Sequence, residues 1–422
     1  MADIDAGPGS DAVTPSDPPS RRSPVREVLA LPSFRRYWIS QLLIALVNGT
    51  LRFVLVWLVL DLTDWTPAVG LVGLALGIPA LVVSLPAGAL SDRVDRIRLV
   101  VVGDVVTAVA LAALAVTVWT DVATPAIVAV VAAVVGTSFG MISPALQAVV
   151  PALVPAHRLM TGVGLQGMGM NIAMLTGSVL GGGAIALAGT GGALALLATI
   201  AAIAAVGLAG VRLPERAVVA VRRRVVADIA DGVRFAVGRE PLRSMLLVGF
   251  VASGSWGVVQ LLLPDVVKSD LGQGAFTTSL MFGALGAGML VTTVTLANRD
   301  SLARRGWWIA VPFSGFSGTM VVLMGWSSIY AITLAAMLWW GLSGGVVMTL
   351  QRTVLQESTP DEYMGRVMGA NALAMTGSYP VAAGAAALAA SAFGGAGAMM
   401  VLGAVVTVAA AAVTWRPAVL RA

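Results

Sequence analysis

The sequence predicts an all-α polytopic membrane protein, and three observations support this fold class. Apolar residues make up 58% of the 422 residues, charged residues make up 11%, and the mean hydropathy is +0.91. Soluble domains carry about 25% charged residues, so this chain lacks the polar surface that solubility requires. The 48 glycines fit the same class, because Gly lets transmembrane helices approach closely. The composition excludes a soluble enzyme, a disordered chain and a DNA-binding domain.

Twelve apolar segments are long enough to cross a bilayer, which takes about 20 residues per helix. The runs are continuous rather than short alternations, which excludes a transmembrane β-barrel. The predicted spans are 34–62, 68–90, 98–119, 124–147, 160–188, 191–211, 243–264, 275–297, 307–326, 329–351, 364–390 and 393–415.

The composition divides the chain into four parts. Residues 1–30 begin with a stretch of Asp, Pro, Ser and Gly and are expected to form a disordered cytoplasmic tail. Residues 31–211 and 242–416 each hold six spans, and 212–241 form a charged cytoplasmic linker. Within this linker the pattern at 225–237 predicts an amphipathic helix. The start of the chain has no apolar core of a signal peptide.

The basic residues predict the orientation. If both termini are cytoplasmic, all of the 26 Lys and Arg residues except Arg52 and Lys268 fall in the tails or in cytoplasmic connections. The opposite orientation contradicts the positive-inside rule. We therefore expect a multi-pass protein of the cytoplasmic (inner) membrane, whose pI near 10.3 reflects topology and contacts with anionic lipid headgroups rather than nucleic acid.

The two six-span parts resemble each other in sequence. Residues 171–178 and 371–378 share Asn, Thr, Gly and Ser at matching positions, in the fifth span of each part. Two related six-helix halves are typical of alternating-access transporters, which bind substrate near the bilayer midplane between the halves. A channel would need a ring of pore-lining residues, and none is evident.

One connection carries a family resemblance. The segment Gly88-Ala-Leu-Ser-Asp-Arg-Val-Asp-Arg-Ile-Arg98 is similar to the signature between the second and third helices of the major facilitator superfamily, with Asp95 where the family usually has Gly. The patterns at 144–151 and 164–182 resemble the drug-efflux branch that includes macrolide-efflux proteins and the enterobactin exporter. The resemblance covers nearly everything after residue 30.

The resemblance implies a conformational latch in this connection. Its residues would contact the start of the eleventh span, near Tyr363–Arg366, and so lock the two halves in an outward-open state. A carboxylate suits this role because helix N-termini attract anions. The alternative is an ordinary solvated, positively charged loop. The latch residues are Gly88, Asp92, Arg93 and Arg96.

Arg52 is the most informative single residue. An arginine inside a span costs at least about 2.5 kcal/mol, so it should face a central cavity or a partner. Asn48 lies one turn earlier on the same face, and together they could hold an anionic group of a substrate. Alternatively, Arg52 reaches the outer vestibule or forms a structural pair with Asp61, Asp64 or Asp265.

Further polar, aromatic and methionine residues lie near the predicted midplane. An aromatic and methionine wall suits an adaptable apolar pocket, although packing between helices or against lipid would use the same residues. These additional cavity candidates are Asn171, Trp256, Gln260, Trp340, Asn371, Met375 and Tyr379. Asp104 in the third span is a possible proton site, or else a structural partner for Arg96 or Arg98.

Together these features predict a secondary active transporter that exports amphipathic, drug-like small molecules by alternating access. Proton antiport is expected from family analogy, and the alternative substrate is an anionic amphiphile such as a siderophore or lysophospholipid, held by Arg52. The chain has no cysteine and one histidine, and it has no Walker motif. We therefore expect no enzyme activity, no cofactor and no metal site. A monomer is expected.

Overall fold

The computed structural model describes residues 24–63, 65–91, 94–211, 213, 225–297, 305–416 and 420, and within these residues it contains helices and no strand. The helices are α1 (Pro24–Leu29), α2 (Pro32–Leu62), α3 (Pro67–Ser91), α4 (Arg96–Trp119), α5 (Pro125–Leu153), α6 (Leu159–Ala209), α7 (Val225–Val237), α8 (Glu240–Ser269), α9 (Ala275–Ala297), α10 (Arg305–Pro312), α11 (Gly318–Trp326), α12 (Tyr330–Glu357) and α13 (Asp361–Thr414). A short π-helical segment, Phe313–Ser317, joins α10 to α11 into one span.

Two of these helices each cross the membrane twice. Among the described residues, ten helical stretches are long and apolar enough to span a bilayer, but α6 turns back at Gly189 (φ 69°) and α13 at Gly394 (φ 70°). Leu165 and Leu208 of α6 pack into one buried cluster, although a straight helix would place them about 65 Å apart. Counting both arms of α6 and α13 gives the twelve predicted spans. Glycine suits both turns because it adopts positive φ without a Cβ clash.

The structure corrects two predicted boundaries. The expected disordered tail of residues 1–30 ends earlier, because Pro24–Leu29 is helical and Val28 is buried. Glu27 of α1 also forms an ion pair with Arg158, at 2.6 Å. The last two spans meet at Gly394, four residues beyond the predicted end of the eleventh span. Met1–Ser23 lie outside the described residues, whereas α7 matches the predicted linker helix.

Asp95 explains why the connection before α4 works without the usual glycine. Its carboxylate accepts hydrogen bonds from the backbone N–H groups of Ile97 (2.8 Å) and Arg98 (3.2 Å), so it caps the N-terminus of α4. Its φ is −56°, so the position does not require a left-handed backbone. The side chain thus satisfies two N–H groups that a helix start leaves unpaired.

The buried core shows how the two halves meet. We name the side of the molecule that holds the last turns of α2 and α8 the opposite face. There, one buried cluster joins residues of both halves, such as Phe53, Leu261 and Ala383. We name the side that holds the first turns of α2 and α8 the terminal face. Two separate buried clusters lie there instead. One belongs to the half formed by α1–α6 and the other to α7–α13. The buried cores are therefore shared at the opposite face and separate at the terminal face, where the first half is still in contact with α7 through α3. From this separation of the cores we infer a cleft between the halves that is open at the terminal face.

Glycines allow the close contact at the opposite face. A Cβ on Gly70 of α3 would lie 2.6 Å from the Cβ of Ala387 and 2.7 Å from the carbonyl of Ala383, both in α13. A Cβ on Gly182 of α6 would overlap Ser279 of α9. Small residues of this kind let membrane helices pack backbone to backbone, which closes the cleft at this end.

Candidate functional site: a cleft between two helical halves

The closed end of the cleft is marked by a contact between the two halves. The guanidinium carbon of Arg52, on α2, lies 4.4 Å from the ring centroid of Tyr379, on α13. The same ring packs against the backbones of Gly77 on α3 and Gly257 on α8. Tyr379 is buried and so brings four helices together beneath the shared core. A cation above an aromatic face is attracted by the ring quadrupole.

The positive charge of Arg52 has no acidic partner among the described residues. Asp61 pairs instead with Lys268 at 2.6 Å, and Asp265 accepts a hydrogen bond from Ser269 at 3.3 Å. The alternative in which Asp61 or Asp265 pairs with Arg52 is therefore not realised in this conformation, and Asp64 lies outside the described residues. Arg52 is half-buried, which leaves its donors available to a negatively charged group.

Asn48 does not support Arg52 directly. Its amide nitrogen donates a hydrogen bond to the carbonyl of Ile44, at 3.0 Å, one turn earlier on α2. Next to it, Gly49 is in close contact with the backbone of Ala173 on α6. Asn48 thus lies on the predicted face, but its hydrogen bond is made within its own helix.

A stacked pair of tryptophans lies in the second half, with Trp340 buried and Trp256 partly exposed. The rings of Trp256 on α8 and Trp340 on α12 are stacked, with centroids 6.0 Å apart and planes 15° from parallel. The Trp340 Nε1 donates to the hydroxyl of Ser317 at 3.2 Å, which fixes the orientation of the indole. The hollow beside this pair is lined mainly by apolar side chains, including Leu285, Met289, Phe313 and Met348.

Gln260, one turn after Trp256 on α8, is a buried amide. Its side chain is 5% exposed, and its Oε1 has no hydrogen-bond partner in the part of the chain that the structure describes. An unpaired buried acceptor is costly, so this oxygen is a candidate to accept a hydrogen bond from a ligand or a water molecule.

Asn371 and Met375 belong to a network inside the second half. The Nε2 of Gln351 donates to the Oδ1 of Asn371 and to the carbonyl of Met245, both at 2.9 Å. The amide of Asn371 contacts the sulfur of Met375 at 3.6 Å. Because Asn371 is buried in this network, its position favours helix-to-helix bonding over contact with a substrate. The side chain of Asn171 lies outside the described residues.

The expected latch surface is occupied by the linker helix. Phe235 of α7 stacks on Tyr363 of α13, with ring centroids 3.8 Å apart, and Gly232 packs against the backbone of Arg366. Arg96 is the first residue of α4. Asp92 and Arg93 lie outside the described residues, as do the surroundings of Gly88, so their expected contact stays a prediction.

The interpretation of the sequence missed one contact that joins the halves. Lys268, at the end of α8, pairs with Asp61 at the end of α2. A signal for it was present, because Lys268 is the only lysine and stands apart from the other basic residues. The possible proton site Asp104 is buried in α4 and contacts neither this pair nor Arg52.

The chain forms twelve spans in two halves, and the halves are joined at one face. This arrangement around a central cleft defines a multi-pass membrane transporter. The profile of the Major Facilitator Superfamily matches residues 37–383, and the chain belongs to this superfamily. Its members are transporters of small molecules and are generally not enzymes.

One curated relative is an uncharacterised transporter of the same superfamily, y4rN, from Sinorhizobium fredii. It is 25% identical over 328 residues, which cover 72% of this chain and 76% of the relative. Its name assigns no substrate, so the relative supports membership of the superfamily and nothing narrower.

Solved structures share the fold at low sequence identity. The nucleoside transporter NupG has a TM-score of 0.68 and 11% identity, covering 91% of this chain and 98% of that one. A bacterial homologue of the human lysosomal transporter Spinster, in an inward-facing and occupied conformation, has a TM-score of 0.66 and 12% identity, with 94% of each chain covered. A POT family transporter in complex with a thioalcohol-conjugated peptide scores 0.65 at 12% identity, covering 92% and 98%.

Proposed function

We propose that this protein is a secondary active transporter that exports amphipathic, drug-like small molecules in exchange for protons. The observation that carries the proposal is the arrangement of the cores: one core shared by both halves at the opposite face, and two separate cores at the terminal face. Rocking of residues 31–211 against 242–416 would close the terminal face and open the opposite one, which is alternating access.

The proposed orientation places the terminal face in the cytoplasm. The positive-inside rule supports cytoplasmic termini in the bacterial inner membrane, because nearly all basic residues lie towards that face. The cleft then opens to the cytoplasm, as an exporter requires for loading its substrate. The protein would act as a monomer and contribute to multidrug resistance.

The aromatic surface supports an amphipathic substrate. Trp256 and Trp340 offer a stacked apolar wall, and Met289 and Met348 line the hollow beside it. Methionine side chains repack easily and so accommodate differently shaped ligands. Gln260, with its unpaired Oε1, would add one hydrogen-bond acceptor.

A second candidate substrate is an anionic amphiphile, such as a siderophore or lysophospholipid. The specific observation in its favour is Arg52, whose described contact is the Tyr379 ring and not a carboxylate. A carboxylate or phosphate bound to the guanidinium would neutralise a charge that is expensive inside a membrane. The aromatic wall would then hold the apolar part of the same molecule.

Ligand-dependent thermal stability of the detergent-purified protein separates the two substrates. The comparison uses the wild type, Arg52→Ala and the charge-preserving Arg52→Lys, with lipophilic cations, anionic siderophores and lysophospholipids as ligands. Equal stabilisation of the wild type and Arg52→Ala by the lipophilic cations supports the drug-like substrate. Stabilisation by anionic ligands that is lost in Arg52→Ala and partly kept in Arg52→Lys supports the anionic amphiphile instead. If no compound of either class stabilises the wild type, both substrate proposals fail.

A further inference from the structure

One carboxyl group is buried inside the first half, away from the cleft contacts. Asp104 is 1% exposed, and its Oδ1 has no hydrogen-bond partner within the described part of the chain. It lies eight residues after Arg96, the first residue of α4, and therefore about 12 Å along the helix. The same buried face of α4 carries Val100, Thr107 and Leu111.

The helices packed against Asp104 provide no compensating charge. Helix α4 packs against α5 and α6, and neither of those helices contains a single ionisable residue. On α4 itself the charged residues are Arg96 and Arg98, both in its first turn, where Arg98 is exposed. Burial without a counter-charge or a hydrogen bond disfavours an ionised carboxylate, so the neutral acid is the form that fits this environment.

Tight packing closes the site in this conformation. A Cβ on Gly103 would lie 2.5 Å from the Cγ2 of Ile142 on α5, so the two helices are in close contact beside Asp104. The hydroxyl of Thr107 donates to the carbonyl of Gly103, at 2.9 Å, and so stays within α4. A metal ion would need several oxygen ligands, and no group of three or more acidic or His side chains is present in the described residues. A proton needs only one carboxylate oxygen.

We propose that Asp104 is the proton-binding site of this transporter, protonated while the cleft is open at the terminal face. This inference rests on the proposed proton exchange and names the residue responsible for it. Release of the proton requires a local opening between α4 and α5 within the first half, in addition to the rocking of the halves, while the terminal face is open. The carboxyl O–H bond then breaks heterolytically, its electron pair stays on the carboxylate oxygen, and the proton passes to water on the side of the terminal face, as exchange for an exported substrate requires. No electron is transferred, and no other co-reactant is needed.

The absence of cysteine from the chain makes a direct test possible. Spin labels are attached to Val94→Cys in the first half and Gln356→Cys in the second, both exposed positions near the terminal face. Distances between the labels are measured against pH in lipid nanodiscs for the labelled wild type, Asp104→Asn and Asp104→Glu. Thr107→Val is the matched control, because it changes a buried polar residue one turn away without removing an ionisable group.

The proposal predicts that the distance populations of the wild type and Thr107→Val shift with pH. In Asp104→Asn, which imitates the protonated acid, this shift is lost, and Asp104→Glu restores it with a displaced midpoint. A pH response of Asp104→Asn equal to that of the wild type would overturn the assignment, as would a wild-type distribution that does not respond to pH at all.

A transport measurement separates this inference from the transport proposal itself. Proteoliposomes with an acidic lumen are given external ethidium, a lipophilic cation, and uptake is followed with and without the pH gradient. Asp104→Asn should lose the uptake driven by the gradient but keep downhill movement of the dye. Gradient-driven uptake by Asp104→Asn at the wild-type rate contradicts the inference. If even the wild type moves no dye down its gradient, drug transport fails, and the pH titration of the label distances still decides the role of Asp104.

Discussion

The ammonium nitrogen of Lys268 lies 2.6 Å from a carboxylate oxygen of Asp61, and this pair links the last turns of α8 and α2 at the opposite face. The hydroxyl of Thr190, just after the turn at Gly189, lies 3.5 Å from the other oxygen of Asp61. In the second half, Asp265 lies against Gly395, just after the turn at Gly394. An acidic residue near the end of the first span thus approaches the turn between the last two spans in each half.

The first prediction concerns this ion pair. Lys268→Met removes the charge but keeps the length of the side chain, so it should raise the population with an open opposite face by up to about fivefold. The size follows from the partial exposure of the pair, 33% and 39% for the two side chains, because such pairs contribute about 0.2–1 kcal/mol. Spin labels on Val122→Cys and Ile329→Cys, both exposed near this face, measure the populations.

Two further variants test the interpretation of that result. Asp270→Asn neutralises a nearby carboxylate that does not form the pair, so it should leave the distances unchanged. Exchanging the charges with Asp61→Lys and Lys268→Asp should restore part of the closed population. If Lys268→Met opens the face no more than Asp270→Asn does, the ion pair does not stabilise the closed state.

The sequence predicted the fold well because membrane insertion imposes strong patterns on it. Continuous apolar runs set the twelve spans, and the pattern at 225–237 located α7. The site was harder to predict, because contacts between distant helices depend on rotation about each helix axis. Hydropathy leaves that rotation open, so the sequence alone could not decide whether Asn371 lines the cavity or bonds to another helix, and the structure shows its hydrogen bond with Gln351. The turn between the last two spans was also hard to place from the sequence, because several glycines occur there. The positive φ of Gly394 shows which of them forms the turn.

The second prediction uses two neighbouring glycines of α6 with different surroundings. A Cβ on Gly182 would overlap Ser279 of α9, in the other half, whereas a Cβ on Gly183 would meet nothing within 4 Å. Gly182→Ala should therefore push the halves apart at the opposite face and slow transport, while Gly183→Ala should behave as the wild type. The Val122→Cys and Ile329→Cys label pair reports the separation. Equal effects of the two substitutions would show that helix propensity, and not the contact between halves, is responsible.

The third prediction concerns competition for the start of α13. Phe235 of α7 stacks on Tyr363, the surface that the resemblance assigns to the Asp92 latch. Phe235→Ala should free this surface and increase the population closed at the terminal face, as reported by the Val94→Cys and Gln356→Cys labels. Asp92→Asn should decrease that population, because it removes the carboxylate of the proposed latch.

Combining the two changes distinguishes competition from simple loosening of the linker. If the latch and α7 compete for the same surface, Phe235→Ala should have little effect once Asp92 has been replaced by Asn. Phe235→Tyr, which keeps the stacked ring, serves as the control and should match the wild type. An unchanged state population in Asp92→Asn would exclude the latch and leave an ordinary solvated loop.

The fourth prediction separates structural residues from ligand-binding residues near the midplane. Asn371→Leu removes the acceptor for Gln351, so it should lower stability by about 0.6–2 kcal/mol, the range for hydrogen bonds between membrane helices. Tyr379→Leu removes a buried ring that packs between helices, so it should also lower stability. Unlike Asn371→Leu, it should in addition weaken the binding of anionic ligands, because the ring lies beneath Arg52. Thermal denaturation in detergent, with and without ligand, measures both quantities.

Adding Gln351→Leu to Asn371→Leu should recover part of the lost stability, because no buried amide then lacks its partner. If Asn371→Leu instead abolishes ligand stabilisation at an unchanged melting temperature, Asn371 contacts the substrate and the hydrogen-bond network is not its main role.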